Sequence, residues 1–386
     1  MLIIENTTEL VEVCEKLSRA DYITVDTEFM RDNTYYSRLC LVQIACSEGA
    51  WAIDPLAEGI DLAPFFEVLA SPETLKVFHA ARQDIEIFLH LSGTIPEPLF
   101  DTQVAGMVCG FGDAVSYEKL AAKLAGARLD KSQRFTDWSR RPLTERQIKY
   151  ALGDVTHLRQ IFESLEAQLN RNGRHEWLDE EMEVLLSPET YRLDKEKVWR
   201  RLKTRSTDRR FLAIVRALAN WREAEAQRRD LPRNRIIRDD AILEAAAHPP
   251  RSLDDLKTLR SLPGQFRSAK RGESLVAAIK EGLSVPDDAL PEAEKRAALP
   301  PGIGPLVELL KVLLKLKCEV HDVAQKLVAN VADLEQIAAD DNANVPALRG
   351  WRRDLFGGDA LALKHGRVAL SAQGKKVILV PLESND

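Results

Sequence analysis

The chain has 386 residues, of which 45% are hydrophobic and 30% are charged, and its formal net charge at pH 7 is −6. These proportions exclude wholesale disorder and predict two or three domains of roughly 100–200 residues each. No apolar run of about 18 residues is present, so no membrane-spanning helix is predicted. The five cysteines are scattered and form no Cys-x-x-Cys pair, which favours a reducing cytoplasm over a disulfide scaffold or a zinc site.

Charge is unevenly distributed along the chain. Between Lys195 and Glu281 there are 22 Lys and Arg residues against 12 Asp and Glu, a net charge of +10 that leaves −16 for the remainder. This asymmetry predicts an acidic module joined to a basic one. An acidic body is suited to cations and a basic module to phosphates, although two solvated surfaces of opposite sign are the simpler alternative.

The residues up to about position 190 predict an α/β unit. Runs of β-branched, aromatic and other apolar residues separated by turn residues predict four strands, at Tyr22–Val25, Leu39–Cys46, Ala50–Asp54 and Leu75–Phe78. Helical periodicity follows at Gln83–Leu91. The short links between the first three strands predict a meander. The fourth strand and the helices after it predict a mixed sheet covered by helices.

A further helix is predicted to begin after Thr144, because Thr144 and Gln147 form a Thr-x-x-Gln capping box. Steps of three and four residues place Tyr150, Asp154 and Leu158 on one face of this helix, and the rest of that face is apolar. Burying an unpaired carboxylate costs several kcal/mol. Asp154 is therefore expected to lie near a cation or a hydrogen-bond donor.

From Asp194 onwards the sequence predicts only helices. The segment Ser284–Gly304 is rich in Pro, Ala and charge, and it is predicted to link two helical units. The predicted helices before and after this linker are Arg209–Arg228, Asp240–Ala247, Ser252–Leu262, Gly272–Gly282, Pro305–Cys318, Val323–Ala329 and Val331–Ala339.

Four carboxylates and one tyrosine carry the predicted chemistry. Asp26 and Glu28 are two residues apart in a strand, so they point to one face and repel each other unless a cation neutralises them. Asp84 opens the helix after the fourth strand, and Asp154 follows Tyr150 by one helical turn. Hard cations such as Mg²⁺ prefer oxygen ligands of this type, and two of them roughly 3.5–4 Å apart can promote phosphodiester hydrolysis. Tyr150 could orient the attacking water, but a reference pKa near ~10 makes it a poor general base.

Each of these features alone has a structural alternative. An Asp-x-Glu pair can form a surface ladder, Asp84 can complement a helix dipole, and Tyr150 can be a core residue. The combination in this order is more specific, and with it the sequence resembles the tyrosine-containing branch of the DEDD exonuclease superfamily over essentially the whole chain. The segments that carry the resemblance are Val25–Phe29, Val77–Asp84 and Gln147–Val155.

The resemblance implies an RNase H-like mixed-sheet exonuclease domain over residues 1–193. It also implies two divalent metal ions, Mg²⁺ or Mn²⁺, held by four carboxylates, with Asp26 bridging them and Tyr150 aligning the attacking water. The implied metal ligands are Asp26, Glu28, Asp84 and Asp154. A second resemblance, to HRDC domains, is carried by Leu218–Glu223, Asp230–Arg233 and Asp239–Leu243. It implies two all-α HRDC-type domains, at 207–285 and 302–386, of which the second departs more from the pattern.

The function implied by the resemblance is that of a cytoplasmic, metal-dependent 3′→5′ exoribonuclease that releases nucleoside 5′-monophosphates. Its implied partner is RNA with a free 3′ end, above all tRNA precursors. No nucleotide cofactor is expected, because no phosphate-binding P-loop motif is present. Two alternatives are a DNA 3′→5′ exonuclease on the same scaffold and a non-catalytic RNA-binding adaptor. The absence of an attached polymerase or helicase motor disfavours the first, and the presence of all four carboxylates disfavours the second.

Overall fold

The computed structural model of the chain describes residues 3–133, 136–267, 269–293 and 300–382. The strands in these ranges are β1 (Ile3–Ile4), β2 (Tyr22–Met30), β3 (Arg38–Cys46), β4 (Gly49–Ile53), β5 (Leu75–Phe78), β6 (Leu99–Asp101), β7 (Val368–Gln373) and β8 (Lys376–Pro381). The helices of the first half are α1 (Thr7–Leu17), α2 (Ala63–Ala70), α3 (Arg82–Ser92), α4 (Thr102–Val108), α5 (Tyr117–Leu124), α6 (Glu145–Asn172) and α7 (His175–Leu186). Those that follow are α8 (Arg209–Arg229), α9 (Arg233–Ile236), α10 (Asp239–Ala247), α11 (Ala269–Ser284), α12 (Gly304–His321), α13 (Gln325–Val328), α14 (Val331–Ala339), α15 (Gly350–Arg352) and α16 (Gly358–Lys364).

Six strands form one mixed sheet in the order β1-β4-β3-β2-β5-β6. The antiparallel pairs β2–β3 and β3–β4 form the predicted meander, while β1 pairs in parallel with β4, and β5 and β6 extend the sheet in parallel beyond β2. Every residue of β3 after Arg38 is buried, as expected for a central strand with both faces covered. The predicted mixed sheet covered by helices is confirmed.

Besides a small cluster of Cys40, Leu41, Ala52, Trp138 and Ala151, two large hydrophobic cores hold the described residues together. One lies within residues 198–279 and is formed mainly by α8, α10 and α11. The other surrounds the sheet and continues without a break into the helices of residues 303–363. The last helical unit therefore shares its core with the sheet, whereas the middle unit has a core of its own. The boundaries 1–193, 207–285 and 302–386 remain predictions.

The second half of the chain departs from the all-helical prediction in two places. Strands β7 and β8 form an antiparallel hairpin closed by Gly374, which has a positive φ of 64°. The helix predicted at Ser252–Leu262 is reduced to a single 3₁₀ turn at Asp255–Thr258, because prolines lie on both sides and Asp255 accepts hydrogen bonds from preceding main-chain amides. The predicted linker Ser284–Gly304 lies partly outside the described residues. No helix in the described ranges is long and apolar enough to cross a membrane.

Candidate active site

Strand β2 carries the first two candidate ligands at the point where its pairing changes. Asp26 lies opposite Gln43 of β3, and Glu28 lies opposite Leu41, so both carboxylates point to the face of the sheet that α6 covers. The register shifts between Glu28 and Phe29. Such a bulge bends a strand and redirects the side chains beside it. The sequence therefore places two acids at the end of the regular pairing between β2 and β3.

Asp84 reaches the site from the other side of β2. It lies in the first turn of α3, is 6% exposed, and accepts a hydrogen bond from the hydroxyl of Thr27. Because successive side chains of a strand alternate between faces, Thr27 points away from the Asp26 and Glu28 carboxylates. Asp84 is close enough to Asp26 for the two charges to repel, but its carboxyl group is turned towards Thr27.

Helix α6 supplies Tyr150 and Asp154, as the periodicity predicted. Its start is fixed by the reciprocal hydrogen bonds of the predicted capping box between Thr144 and Gln147. Asp154 is 8% exposed, and the Tyr150 hydroxyl is within hydrogen-bonding reach of its carboxyl group. The helix is also tied to β2, because the Thr24 hydroxyl donates to the carbonyl of Val155 at 2.8 Å. These contacts set the height of Asp154 above the sheet.

The turn between β5 and α3 is held by a carboxylate that the motif analysis did not single out. Asp101, at the end of β6, accepts hydrogen bonds from the amides of Ala80 at 3.0 Å and Ala81 at 2.8 Å. Ala80 has a φ of 59°, a conformation that costs an alanine free energy. Asp101 also caps α4 by accepting from the amide of Gln103. The cost at Ala80 is thus offset by hydrogen bonds that fix the start of the helix bearing Asp84.

A partly exposed arginine anchors the segment that leads into α6. Arg141 donates to the Asp54 carboxylate at 2.6 Å and to the carbonyl of Cys40 at 2.6 Å. Asp54 is 3% exposed while the Arg141 side chain is 25% exposed, so this ion pair is only partly shielded from water. The pair connects the segment before Thr144 to the ends of β3 and β4. It is a second contact that sequence motifs did not reveal, since the two residues are far apart in the chain.

Four of the five candidate residues line one cleft of about 650 Å³. The cleft lies between β2, the turn after β5 and helix α6. Asp84 lies behind its wall and is not part of the lining. The lining includes Asp26, Glu28, Tyr150 and Asp154, together with Phe29, His79, Gln103, Tyr117 and Leu158. Tyr117 further supports α6 from the cleft side, because its hydroxyl donates to the carbonyls of Gly153, at 3.2 Å, and Asp154.

The carboxyl groups perturb one another strongly. Burial raises the pKa of Asp26 to about 7. Burial and repulsion from Asp26 raise the pKa of Asp154 to about 8, against a smaller lowering effect of the hydrogen bond from Tyr150. The same two causes raise the pKa of Asp84 well above its usual range. Burial and the neighbouring carboxylates also raise the pKa of Tyr150, so its hydroxyl stays protonated and acts as a hydrogen-bond donor.

This donor set suits a hard divalent cation. Its side chains offer carboxylate oxygens, and their mutual repulsion would be relieved by positive charge between them. Within the described ranges, no three Asp, Glu, His or Cys side chains already converge as a ready-made ligand set. The fit therefore rests on the chemistry and electrostatics of the four acids, and Asp84 would have to turn from Thr27, or act through water, to join them.

Comparison with known proteins identifies the class. Residues 1–170 match the family described as 3′-5′ exonuclease, and residues 211–279 match the HRDC domain family. Together with the mixed sheet and the acidic cleft, these matches define a 3′→5′ exonuclease of the DEDD type with an appended HRDC domain.

Full-length relatives narrow the class further. The chain is 52% identical over 380 residues to a ribonuclease D of Nitrobacter hamburgensis, covering 98% of this chain and 99% of the relative. It is 49% identical over 383 residues to a ribonuclease D of Acidiphilium cryptum, covering 99% and 97%. The crystal structure of Escherichia coli RNase D, described as an exoribonuclease involved in structured RNA processing, matches with a TM-score of 0.78 and 30% identity over 94% of this chain and 98% of that chain. The chain belongs to the ribonuclease D family of 3′→5′ exoribonucleases.

Proposed function

We propose that this chain trims the 3′ ends of structured RNA, tRNA precursors among them, and releases nucleoside 5′-monophosphates. The observation that supports it most is the single cleft that brings Asp26, Glu28 and Asp154 together with Tyr150. Asp84 accepts a hydrogen bond from Thr27, the residue between Asp26 and Glu28. The substrate class follows the relatives, of which one is described as acting in structured RNA processing.

The four acids Asp26, Glu28, Asp84 and Asp154 are proposed as the residues that would hold the divalent cations. Cations held there would polarise the phosphoryl oxygen and lower the pKa of a bound water. The protein's own groups would position the reactants. The Tyr150 hydroxyl, which stays protonated beside Asp154, would orient the attacking water by a hydrogen bond.

The middle helical unit lies beside the catalytic strand. The Asp230 carboxylate, at the end of α8, accepts hydrogen bonds from the amides of Tyr35 and Tyr36, both at 3.0 Å. The Tyr35 hydroxyl is bonded to Glu223, which also pairs with Arg233. Since Tyr35 and Tyr36 belong to the loop after β2, these contacts fix the unit next to the strand that carries Asp26.

A basic cleft on this unit is suited to the RNA backbone. It has a volume of about 350 Å³, and α8 and α11 form its walls around the aromatic residues Trp221 and Phe266. Its lining includes four cationic side chains, Arg228, Arg229, Lys270 and Arg271, and one acid, Glu225, which pairs with Arg228 at 2.7 Å. Phosphate contacts of this kind provide much of the affinity of nucleic-acid binding. We propose that the unit over residues 207–285 holds RNA upstream of the 3′ end, as the net charge of +10 between Lys195 and Glu281 suggested.

The proposed location is the cytoplasm. All five cysteines are free thiols in the structure. Free, buried thiols are typical of proteins that work in a reducing compartment.

The test is to incubate the purified protein with end-labelled RNA and end-labelled single-stranded DNA, with Mg²⁺, Mn²⁺ or EDTA. We expect stepwise shortening of RNA from its 3′ end and nucleoside 5′-monophosphate as product, abolished by EDTA and restored by added metal. Equal or faster shortening of DNA would favour the DNA exonuclease instead. Binding of RNA without any shortening in either metal would favour the adaptor.

The matched variants are Asp26→Asn and Asp32→Asn. Asp26→Asn should lower turnover by about 10²-fold or more, because it removes a charge worth several kcal/mol to the transition state. Asp32 is an exposed acid in the loop after β2, so its substitution should leave turnover unchanged. Near-native turnover by Asp26→Asn in Mg²⁺ would contradict the proposed metal site.

A further inference from the structure

A buried side-chain amide on β3 forms no hydrogen bond with the described residues. Gln43 is 0% exposed, and neither its side-chain oxygen nor its side-chain nitrogen has a hydrogen-bond partner among the described residues. Burying a primary amide without partners costs free energy, so folded proteins rarely leave one unpaired. Unsatisfied polar groups of this kind tend to persist where function requires them.

Four residues lie directly beside Gln43 in the sheet on its own face, and one of them is polar. Along its own strand the residues on the same face are Leu41 and Ala45, and across β4 its partner is Ala52. Across β2 its partner is Asp26, and Cβ atoms of directly opposed residues lie about 4.5–5.5 Å apart. The other three are apolar, so Asp26 is the polar side chain directly beside the amide in the sheet.

The hydroxyl of Thr24, on the same face of the sheet, already forms a hydrogen bond. Thr24 lies two residues before Asp26, and its hydroxyl donates to the carbonyl of Val155 in α6. It therefore offers the amide no hydrogen to accept. The buried space around Gln43 is thus shared with Asp26 beneath α6, close to the cleft that Asp26 lines.

We propose that Gln43 is a positioning residue for Asp26, and that its side-chain NH₂ donates a hydrogen bond to the Asp26 carboxylate when that carboxylate binds divalent metal. This inference rests on the proposed metal-dependent function. A carboxylate between two cations must hold both oxygens in fixed directions, and outer hydrogen-bond donors commonly provide that constraint. The amide is neutral, so it can hold the carboxylate without competing for the cations.

The inference predicts that an apolar substitution of Gln43 changes stability and metal binding in opposite directions. Without metal, the unpaired amide is a cost, so an apolar side chain of similar volume should be tolerated or should stabilise the fold. With metal, the same substitution removes a donor to a ligand. Loss of such donors typically weakens metal binding or activity by about 10–100-fold. A residue that only packs would not separate the two effects.

The experiment compares Gln43→Met with Thr74→Val in the full-length chain. Thr74 is a matched control, because it is also 0% exposed with an unpartnered side-chain oxygen but lies just before β5 and is not paired with Asp26. Thermal unfolding is followed in EDTA and in Mn²⁺, Mn²⁺ affinity is measured by titration calorimetry, and kcat and KM are measured on a short RNA.

For Gln43→Met we expect an equal or higher Tm in EDTA, Mn²⁺ affinity weaker by about 10–100-fold, and a lower kcat with little change in KM. Thr74→Val should keep the wild-type Mn²⁺ affinity and kcat. Wild-type Mn²⁺ affinity and kcat in Gln43→Met would overturn the positioning role. A markedly lower Tm in EDTA would also overturn it, because the amide would then be satisfied in the metal-free fold.

A second variant tests the same contact by adding a charge instead of removing the amide. Gln43→Glu preserves the volume but places a carboxylate opposite Asp26, so the Tm in EDTA should fall and the Tm gain on adding Mn²⁺ should grow. A Tm gain equal to that of the wild type would contradict the proposed closeness of Gln43 to the metal-bound carboxylate. If the wild-type chain itself shows no response to Mn²⁺ in Tm or calorimetry, the metal-dependent function is wrong as well.

Discussion

The candidate carboxylates lie close together and largely out of water, and each residue there affects the ionisation of the next. Burial and mutual repulsion raise the pKa values of Asp26, Asp84 and Asp154 together. A fold that places acids in this way loses stability in return for a high affinity for positive charge. The individual side chains can therefore be tested in two ways, by the stability of the metal-free protein and by the rate of catalysis.

The metal-free protein should become less stable as the pH rises from about 4 to 8. Because the pKa of Asp154 is raised to about 8, the folded state binds more protons than the unfolded state in this window, and the free energy of unfolding falls with rising pH. Asp154→Asn cannot ionise, so in EDTA at pH 8 its Tm should exceed that of the wild type, with little difference at pH 4. The measurement is Tm against pH in EDTA. Parallel curves for the two proteins would show that Asp154 does not titrate in this way.

Tyr150→Phe should lower kcat more than it changes KM, because the hydroxyl orients water without binding the rest of the RNA. The loss should be partial, at or below the range of about 10²–10⁴-fold that proton-handling groups contribute. Steady-state kinetics on a short RNA measure it. The control is Tyr22→Phe, which removes a hydroxyl bonded to Glu163 on α6. An unchanged kcat in Tyr150→Phe would assign the ring to packing.

Among the secondary-structure elements, α7 determines how the last helical unit attaches to the sheet. The Trp177 ring stacks on Trp351 at 4.2 Å and 10°, and an arginine covers the outer face of each ring, Arg174 at 4.6 Å and Arg352 at 4.3 Å. Arg174 also donates to the carbonyl of His321 at 2.6 Å. Cations over aromatic faces and stacked rings add to the apolar burial of this contact.

Arg352→Ala should lower the free energy of unfolding by about 2–3 kcal/mol, because removing this buried arginine leaves two carboxylates without their partner. Arg352 is 8% exposed, is paired with Glu180 and Glu181, and donates to the carbonyl of Leu327 at 2.6 Å. Urea unfolding measures the change. Arg353→Ala, at the exposed neighbouring position, should be close to neutral. Equal effects of the two variants would argue against the contact.

The secondary-structure elements differ in how well the sequence predicts them. The start of α6 was predictable because a capping box is a local signal, and β3 because a continuous apolar run marks a central strand. The β7–β8 hairpin was missed, although Gly374 and Lys375 between two six-residue runs are a two-residue turn signal. Likewise, the site acids follow from motif order, whereas the support by Asp101 depends on contacts between distant segments.

At the scale of the whole molecule, the contrast of charge predicts how salt acts on RNA binding. Arg229→Ala combined with Lys270→Ala removes two cations from the basic cleft on the middle unit. The slope of log Kd against log salt should become shallower by about 0.7 for each lost phosphate contact with single-stranded RNA. The control pair is Lys311→Ala with Lys315→Ala, which removes two cations from α12 in the last unit. Matching slopes and affinities for both pairs would mean that the basic cleft does not hold RNA.

The core shared by the sheet and the last helical unit affects the order in which parts of the protein can fold during synthesis. Protein synthesis delivers the sheet, α4 and α7 first, but their buried apolar residues, such as Val108 and Met182, belong to one core with residues 303–363. The nascent chain therefore carries an unfinished apolar face while the intervening basic unit, which has its own core, is made. Interrupted translation within the last unit should yield a fragment recognised by chaperones and proteases, so that the nuclease matures only after that unit has emerged.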